Sequence, residues 1–103
     1  MEFEHVSVML GECIEGLRIK PGGIYLDGTV GGAGHATEIA KRLTTGRLIA
    51  LDQDPDAIQT AAARLSEFPQ AVVIRQNFRN MESVLEELSI PGLDGILLDL
   101  GVS

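Results

Sequence analysis

Four short apolar runs alternate along this chain with three stretches whose apolar residues recur at helical spacing, and this alternation constrains the fold most. The runs predicted as strands are IYL (24–26), RLIALD (47–52), AVVIRQ (71–76) and GILLDL (95–100). Strands separated by helices favour parallel pairing through crossover connections, and uninterrupted apolar strands are typical of a sheet covered on both faces. We therefore predict an α/β domain whose strands, numbered in chain order, are arranged 3-2-1-4, with the switch point between the first and the fourth.

The three crossover helices have recognisable faces and caps. The helix predicted over 34–43 has one apolar face, formed by Ala36, Ile39, Ala40 and Leu43. In the segment 54–68, Asp54 is the predicted N-cap and Pro55 suits the first helical position. The buried stripe of that helix is predicted to be Ile58, Ala61, Ala62 and Leu65.

Two further helical predictions come from the same periodicity. The third crossover helix is predicted over 80–90, NMESVLEELSI, with Asn80 as its cap. The segment VMLGECIEGL, 8–17, has apolar residues at helical spacing and is predicted to be a short amphipathic helix before the first strand.

Length and charge limit the possible functions. The 103 residues make at most one domain, predicted to span 1–103, and the net charge of −7 disfavours nucleic-acid binding by this chain alone. No apolar stretch approaches the roughly 20 residues of a membrane span, and the acidic start MEFEHVSVML lacks the basic segment of a secretory signal. We expect a cytoplasmic location by default. One cysteine and two distant histidines do not suggest a metal site.

A glycine-rich stretch, LDGTVGGAGH over 26–35, follows the first predicted strand and leads into a helix. Glycine lets the backbone take unusual angles and lets a ligand approach closely, while the helix start supplies N–H donors. The stretch lacks the G-x-G-x-x-G spacing of dinucleotide enzymes, so a turn that only serves packing is the alternative. Asp52 ends the second strand, 20 residues beyond Gly32, where such folds bind the ribose hydroxyls. Loop and acid together predict a ligand with a ribose.

Three more residues fall at predicted strand ends. Asp27 follows the first strand and either braces the glycine loop or accepts a hydrogen bond from a ligand amino group. Phe78 lies in the loop after the third strand, where it either stacks on a base or packs against the core. Asp99 ends the fourth strand, across the switch point, where a carboxylate could hold ligand, substrate or both.

Four motifs, HVSVML, GIYLDGTVGGAGH, GRLIALDQDP and DGILLDLGVS, resemble the bacterial 16S ribosomal RNA cytosine N4-methyltransferase family of the MraW type, in the same order. The resemblance implies a Rossmann-like sheet, half of a class I methyltransferase domain, and the cofactor S-adenosyl-L-methionine. The implied substrate is 16S rRNA in the small ribosomal subunit. The cofactor-binding residues that it implies are Ala33, Gly34, His35, Asp52, Phe78 and Asp99. Asp99 is also the expected catalytic residue, which would accept a proton of the target amine.

Members of that family are much longer, so we expect this chain to be a fragment that is inactive alone. The fourth strand is then expected to have an unpaired edge, through which two copies could dimerise. Two other functions stay open from the sequence. One is a non-catalytic nucleotide-binding or self-associating module, and the other is a nicotinamide-dependent oxidoreductase, which the missing glycine spacing disfavours.

Overall fold

In the part of the chain that the structure describes, five parallel strands form a single sheet with helices on both faces. The computed structural model describes residues 7–10, 19–28 and 34–98. Its strands are β1 (Ser7–Leu10), β2 (Ile24–Asp27), β3 (Arg47–Asp52), β4 (Ala71–Arg75) and β5 (Gly95–Leu98). Its helices are α1 (Gly34–Arg42), α2 (Pro55–Leu65) and α3 (Met81–Glu87), the last preceded by a 3₁₀ helix, Phe78–Asn80.

The strand order is β1-β5-β2-β3-β4, and every neighbouring pair is parallel. The four strands expected from the sequence therefore have the predicted order 3-2-1-4. The chain moves outward from β2 to β3 and β4 and then returns to the other side of β2 with β5. The switch point between β2 and β5 is confirmed.

The first strand corrects two predictions. Residues 8–10 belong to β1 instead of a helix, and the rest of the predicted helix, 11–17, lies outside the described residues. β1 pairs with β5 from Ser7 opposite Gly95 to Leu10 opposite Leu98, so the edge of β5 that we expected to be open is covered. Backbone pairing with a distant strand outweighs the local helical spacing, because β5 offers a row of N–H and C=O groups that need partners.

Two core clusters cover the two faces of the sheet. One joins α1 and α2 to the sheet and consists of Tyr25, Ala36, Ile39, Ala40, Leu43, Leu48, Ala50, Ala61, Leu65 and Leu97. The other joins α3 and the segment before β5 to the sheet and consists of Leu26, Ile49, Leu51, Val84, Leu85, Ile90, Leu93 and Ile96. Successive residues of β3 alternate between the clusters, as side chains of a strand must. The predicted apolar face of α1 is confirmed in full.

The helix caps agree with the sequence in part. Asp54 caps α2 by accepting a hydrogen bond from the Asp56 nitrogen at 2.9 Å, and Pro55 is the first helical residue, as predicted. Ala62 is exposed, so the predicted stripe of α2 is wrong at that position. Asn80 makes no side-chain capping bond, because the chain already turns in the preceding 3₁₀ helix, which Asn77 caps instead.

Candidate functional site

A cleft lies at the carboxyl-terminal edge of the sheet, beside the switch point. It is lined by Gly28, Asp52, Gln53, Gln76, Asn77 and Phe78, and its volume is about 120 Å³. These residues follow or end β2, β3 and β4, whose carboxyl ends meet at this edge because the strands are parallel. Open α/β sheets bind ligands at this location. Complete small-molecule sites usually measure about 300–1,000 Å³, so the cleft matches one portion of such a site.

The end of β2 brings a buried carboxylate to this edge. Asp27 is 1% exposed, and it is the one charged side chain that is buried in the part of the chain that the structure describes. The next residue, Gly28, lines the cleft, and its N–H group donates to the Leu97 carbonyl of β5 at 3.0 Å. This bond continues the pairing of β2 with β5 to the rim of the cleft. Burial of a carboxylate is costly and must be offset by polar partners, so Asp27 makes the carboxyl end of β2 a polar point beside an apolar core.

Asp52 ends β3 and is half-buried at the cleft. Its Oδ1 atom accepts a hydrogen bond from the Asp54 nitrogen at 2.9 Å, which forms a tight turn before α2. Its carbonyl oxygen accepts from the Gln76 nitrogen at 2.9 Å, which joins β3 to the end of β4. Both bonds fix the carboxylate on the cleft wall, where it can accept hydrogen bonds from hydroxyl groups.

Phe78 has the core packing that was one of its two predicted roles, and its contact with a base stays a prediction. It lines the cleft, and it also packs, partly buried, against the core cluster around α3. Asn77 holds the start of the 3₁₀ helix, because its Oδ1 accepts from the Arg79 nitrogen at 3.0 Å. Phe78 is therefore anchored against the core at a position that lines the cleft, where an aromatic residue can contact a planar base.

Side-chain amides connect the loops on the two sides of the cleft, and the sequence predictions missed them. Asn77 Nδ2 donates to Gln53 Oε1 at 2.9 Å, and Asn80 Nδ2 donates to Gln76 Oε1 at 2.8 Å. Gln76 Oε1 also accepts from the Asn77 nitrogen at 3.0 Å. The only sequence signal was the concentration of amides in DQD and QNFRN, directly after two strands. Which amides meet depends on strand order and could not be read from spacing.

A larger concavity, about 430 Å³, lies at the opposite edge of the sheet, between the segments that precede β3 and β4. One of its lining groups is already occupied, since Gln70 Nε2 donates to the carbonyl oxygens of Ala40 and Leu43 at 2.9 and 3.1 Å. These bonds satisfy the carboxyl end of α1. The smaller cleft lies beside the switch point and is lined by a carboxylate and an aromatic residue, so we favour it as the functional site.

The structure brings together two of the predicted site residues, Asp52 and Phe78, on one cleft. Gly34 is the first residue of α1, which His35 follows, and α1 leads into β3. Ala33 and Asp99 lie outside the described residues. Within 19–28 and 34–98, no group of three or more His, Cys, Asp or Glu residues could hold a metal ion. In the same ranges no helix has the length and apolar character needed to cross a membrane.

The strand order, the switch point and the cleft at the carboxyl edge define a Rossmann-like α/β domain. Two solved structures share this fold at low sequence identity. One, described as an rRNA methylase from Clostridium thermocellum, has a TM-score of 0.65 and 20% identity over 71% of this chain and 42% of that chain. The other, an rRNA methylase from Streptococcus thermophilus, has a TM-score of 0.60 and 18% identity over 72% of this chain and 44% of that chain.

The chain belongs to the MraW methylase family, whose sequence profile matches residues 2–103. It is 61% identical to the ribosomal RNA small subunit methyltransferase H of Lachnospira eligens, covering 100% of this chain and 33% of the relative. The protein of the same description from Finegoldia magna is 54% identical with the same coverage. The chain thus spans about a third of the length of these relatives.

Proposed function

We propose that this chain binds S-adenosyl-L-methionine in the cleft at the carboxyl edge of the sheet. The observation that carries the proposal is the convergence of a half-buried carboxylate, Asp52, with an aromatic ring, Phe78, and the glycine at the end of β2. A carboxylate suits the two hydroxyls of a ribose, and an aromatic ring suits a purine. Membership of a methylase family makes an adenosyl methyl donor the best match for this set.

The proposed roles follow the position of each residue along the sheet. Asp52 accepts the ribose hydroxyls, and Phe78 contacts the adenine. Ala33, Gly34 and His35 contact the cofactor where the glycine-rich stretch enters α1. Asp27 and Asp52, with Asp99 after β5, supply negative potential that favours a cationic sulfonium ligand.

For the longer relatives, the name ribosomal RNA small subunit methyltransferase H supports an rRNA substrate. We propose methylation of cytosine N4 in 16S rRNA, a cytoplasmic reaction. When bound, the cofactor supplies an electrophilic methyl group. Asp99 is proposed to accept a hydrogen bond from an N–H group of the cytosine amine. This bond orients the weakly nucleophilic nitrogen, and the Asp99 carboxylate then receives the proton that the nitrogen loses after methyl transfer. The target base must leave its stack to reach such a site.

Calorimetric titration of the 103-residue chain with S-adenosylhomocysteine tests cofactor binding. We expect saturable binding, and we expect Asp52→Asn to weaken it by several fold. Asparagine keeps an oxygen for the Asp54 nitrogen but loses the charge and one acceptor for the ribose. Asp56→Asn, the same change at an exposed position in the first turn of α2, is the matched control and should change affinity less than twofold.

A folded chain that gives no binding heat with the cofactor product would contradict the proposal. Equal loss of cofactor affinity in the Asp52 and Asp56 variants would show that Asp52 does not contact the cofactor. With labelled S-adenosylmethionine and small ribosomal subunits, we expect no methyl incorporation by this chain alone, because its net charge of −7 opposes RNA binding. Incorporation above background would show that the chain is catalytically sufficient.

A further inference from the structure

Three amide residues, Gln53, Gln76 and Asn77, line the cleft, and a fourth, Asn80, bonds to Gln76. Two backbone N–H groups determine how these side chains are oriented. A backbone nitrogen can only donate, so the Gln76 atom that receives the Asn77 N–H group at 3.0 Å must be the oxygen. The Asn77 side chain likewise presents oxygen to the Arg79 nitrogen at 3.0 Å. The bonds from Asn80 to Gln76 and from Asn77 to Gln53 then have fixed directions. This removes the usual ambiguity of amide orientation.

The side chain of Gln76 can contact a ligand in the cleft only as a hydrogen-bond donor. Its oxygen accepts two hydrogen bonds, from the Asn77 nitrogen at 3.0 Å and from Asn80 Nδ2 at 2.8 Å. The side chain is half-buried and lines the cleft beside Phe78. With the oxygen held by the loop, the Nε2 group is what the side chain can offer to a ligand, and it can only donate.

The geometry points to Gln76 as a base-specificity residue that donates from Nε2 to an unprotonated ring nitrogen of a purine, with Asn80 as the residue that positions it. This inference rests on the proposed function. β4 lies outside β3 in the sheet, and Asp52 and Gln76 line the same cleft, so we place the far edge of a base whose ribose binds Asp52 toward Gln76. In adenine that edge carries N1, which accepts a hydrogen bond. In hypoxanthine the same atom carries a proton and donates.

The test compares two probes, S-adenosylhomocysteine and S-inosylhomocysteine, by calorimetric titration of the 103-residue chain. We expect the unmodified chain to prefer the adenosyl compound by about tenfold, since the inosyl compound places its protonated N1 opposite the Nε2 donor and leaves that donor without an acceptor. Gln76→Glu keeps an oxygen for Asn77 and Asn80 but replaces the donor with an acceptor. We expect this variant to lose the preference or to reverse it, because its new oxygen can accept from the protonated N1.

Gln53→Glu is the matched control. It places the same charge on the same cleft and keeps an acceptor for Asn77 Nδ2, so the ratio of the two dissociation constants should not change. Asn80→Asp, at an exposed position, removes the donor that helps to hold the Gln76 oxygen, and we expect the adenosyl preference to fall to about threefold. If Gln76 or Asn80 has a purely structural role, its substitution would weaken the binding of both probes equally.

The outcomes separate this inference from the proposed function. Binding of the adenosyl probe that depends on Asp52, with an unchanged ratio in Gln76→Glu, overturns the inference and leaves cofactor binding intact. A ratio that changes in Gln53→Glu and not in Gln76→Glu overturns the assignment to Gln76. Failure of the unmodified chain to bind either probe overturns both proposals.

Discussion

Gly46 lies where two stretches of backbone cross, just before β3. Its N–H group donates to the Pro21 carbonyl at 3.0 Å, and the Arg47 nitrogen donates to the Gly23 carbonyl at 3.0 Å. A Cβ atom at position 46 would collide with the Gly23 carbonyl oxygen and lie 2.9 Å from the Gly23 nitrogen. Backbone atoms cannot move aside as a flexible side chain can, so the position requires glycine.

We expect Gly46→Ala to lower the free energy of unfolding by about 2–3 kcal/mol and the Tm by about 10 °C or more. Thermal and denaturant unfolding measure both quantities. Gly92→Ala is the control, because a Cβ atom there meets nothing within 4 Å, and its effect should be within about 0.5 kcal/mol. Equal effects of the two substitutions would contradict the close approach at Gly46.

Some residue roles were predictable from the sequence because they are local. Asp54 and Pro55 act within their own helix turn, so their cap and N1 positions followed from residue type alone. Asp52 and Phe78 were predicted from their places at strand ends, which strand order then brought to one cleft. The bond from Asn77 to Gln53 could not be predicted, because it spans 24 positions and depends on the side-by-side pairing of β3 and β4.

The end of α3 has a Schellman motif with an unfavourable residue at its turning point. The Ile90 nitrogen donates to the Leu85 carbonyl at 2.8 Å, and the Ser89 nitrogen donates to the Glu86 carbonyl at 3.1 Å. Leu85 and Ile90 also belong to the same core cluster, which completes the motif. Ser89 has a φ of 59°, in the left-handed region, where a side chain costs about 1 kcal/mol relative to glycine.

We therefore expect Ser89→Gly to raise the free energy of unfolding by about 0.5–1 kcal/mol, since relief of strain exceeds the added freedom of the unfolded chain. Chemical denaturation measures the change. Ser66→Gly, at the end of α2, should have the opposite sign. Ser66 has a right-handed φ of −60°, and its hydroxyl donates to the Ala63 carbonyl at 2.9 Å. Destabilisation by both substitutions would contradict this account of the α3 terminus.

At the scale of elements, hydrophobic periodicity correctly predicted features that depend only on neighbouring residues in the sequence. The face of α1 and the extent of β3 agree with the structure because each is set by consecutive residues meeting one core. The segment 8–10 fits a helix equally well by spacing, and only its pairing with β5 makes it a strand. The start of α3 agrees with the prediction, since Asn80 is its N-cap residue, but the expected capping bond is absent. A 3₁₀ turn precedes α3, and Asn77 makes the side-chain capping bond at the start of that turn instead.

At the scale of the whole molecule, β3 has the most complete packing among the strands whose burial the structure describes. It pairs with β2 on one side and β4 on the other, and Leu48, Ile49, Ala50 and Leu51 are each 0% exposed. β4 lies at the edge of the sheet, and its residues are half-buried or exposed.

We expect hydrogen exchange at the amides of β3 to require global unfolding, with protection factors at least about tenfold above those of β4. Mass spectrometry with peptide resolution, or NMR, distinguishes the two strands. Amides of α3 provide an internal comparison from the other face. Exchange in β3 as fast as in β4 would show that the sheet opens from its centre, contrary to the packing.

The pairing of β1 with β5 has a consequence for how the protein is made. Ser7 lies opposite Gly95, so the partners are 88 positions apart in the sequence. A ribosome adding 5–20 residues per second needs roughly 4–18 s to synthesise that interval. During this time β1 has no strand to pair with, because β5 has not yet been synthesised, and β2, β3 and β4 can assemble without β1. The pairing of β1 with β5 is therefore among the last to form as the nascent polypeptide emerges.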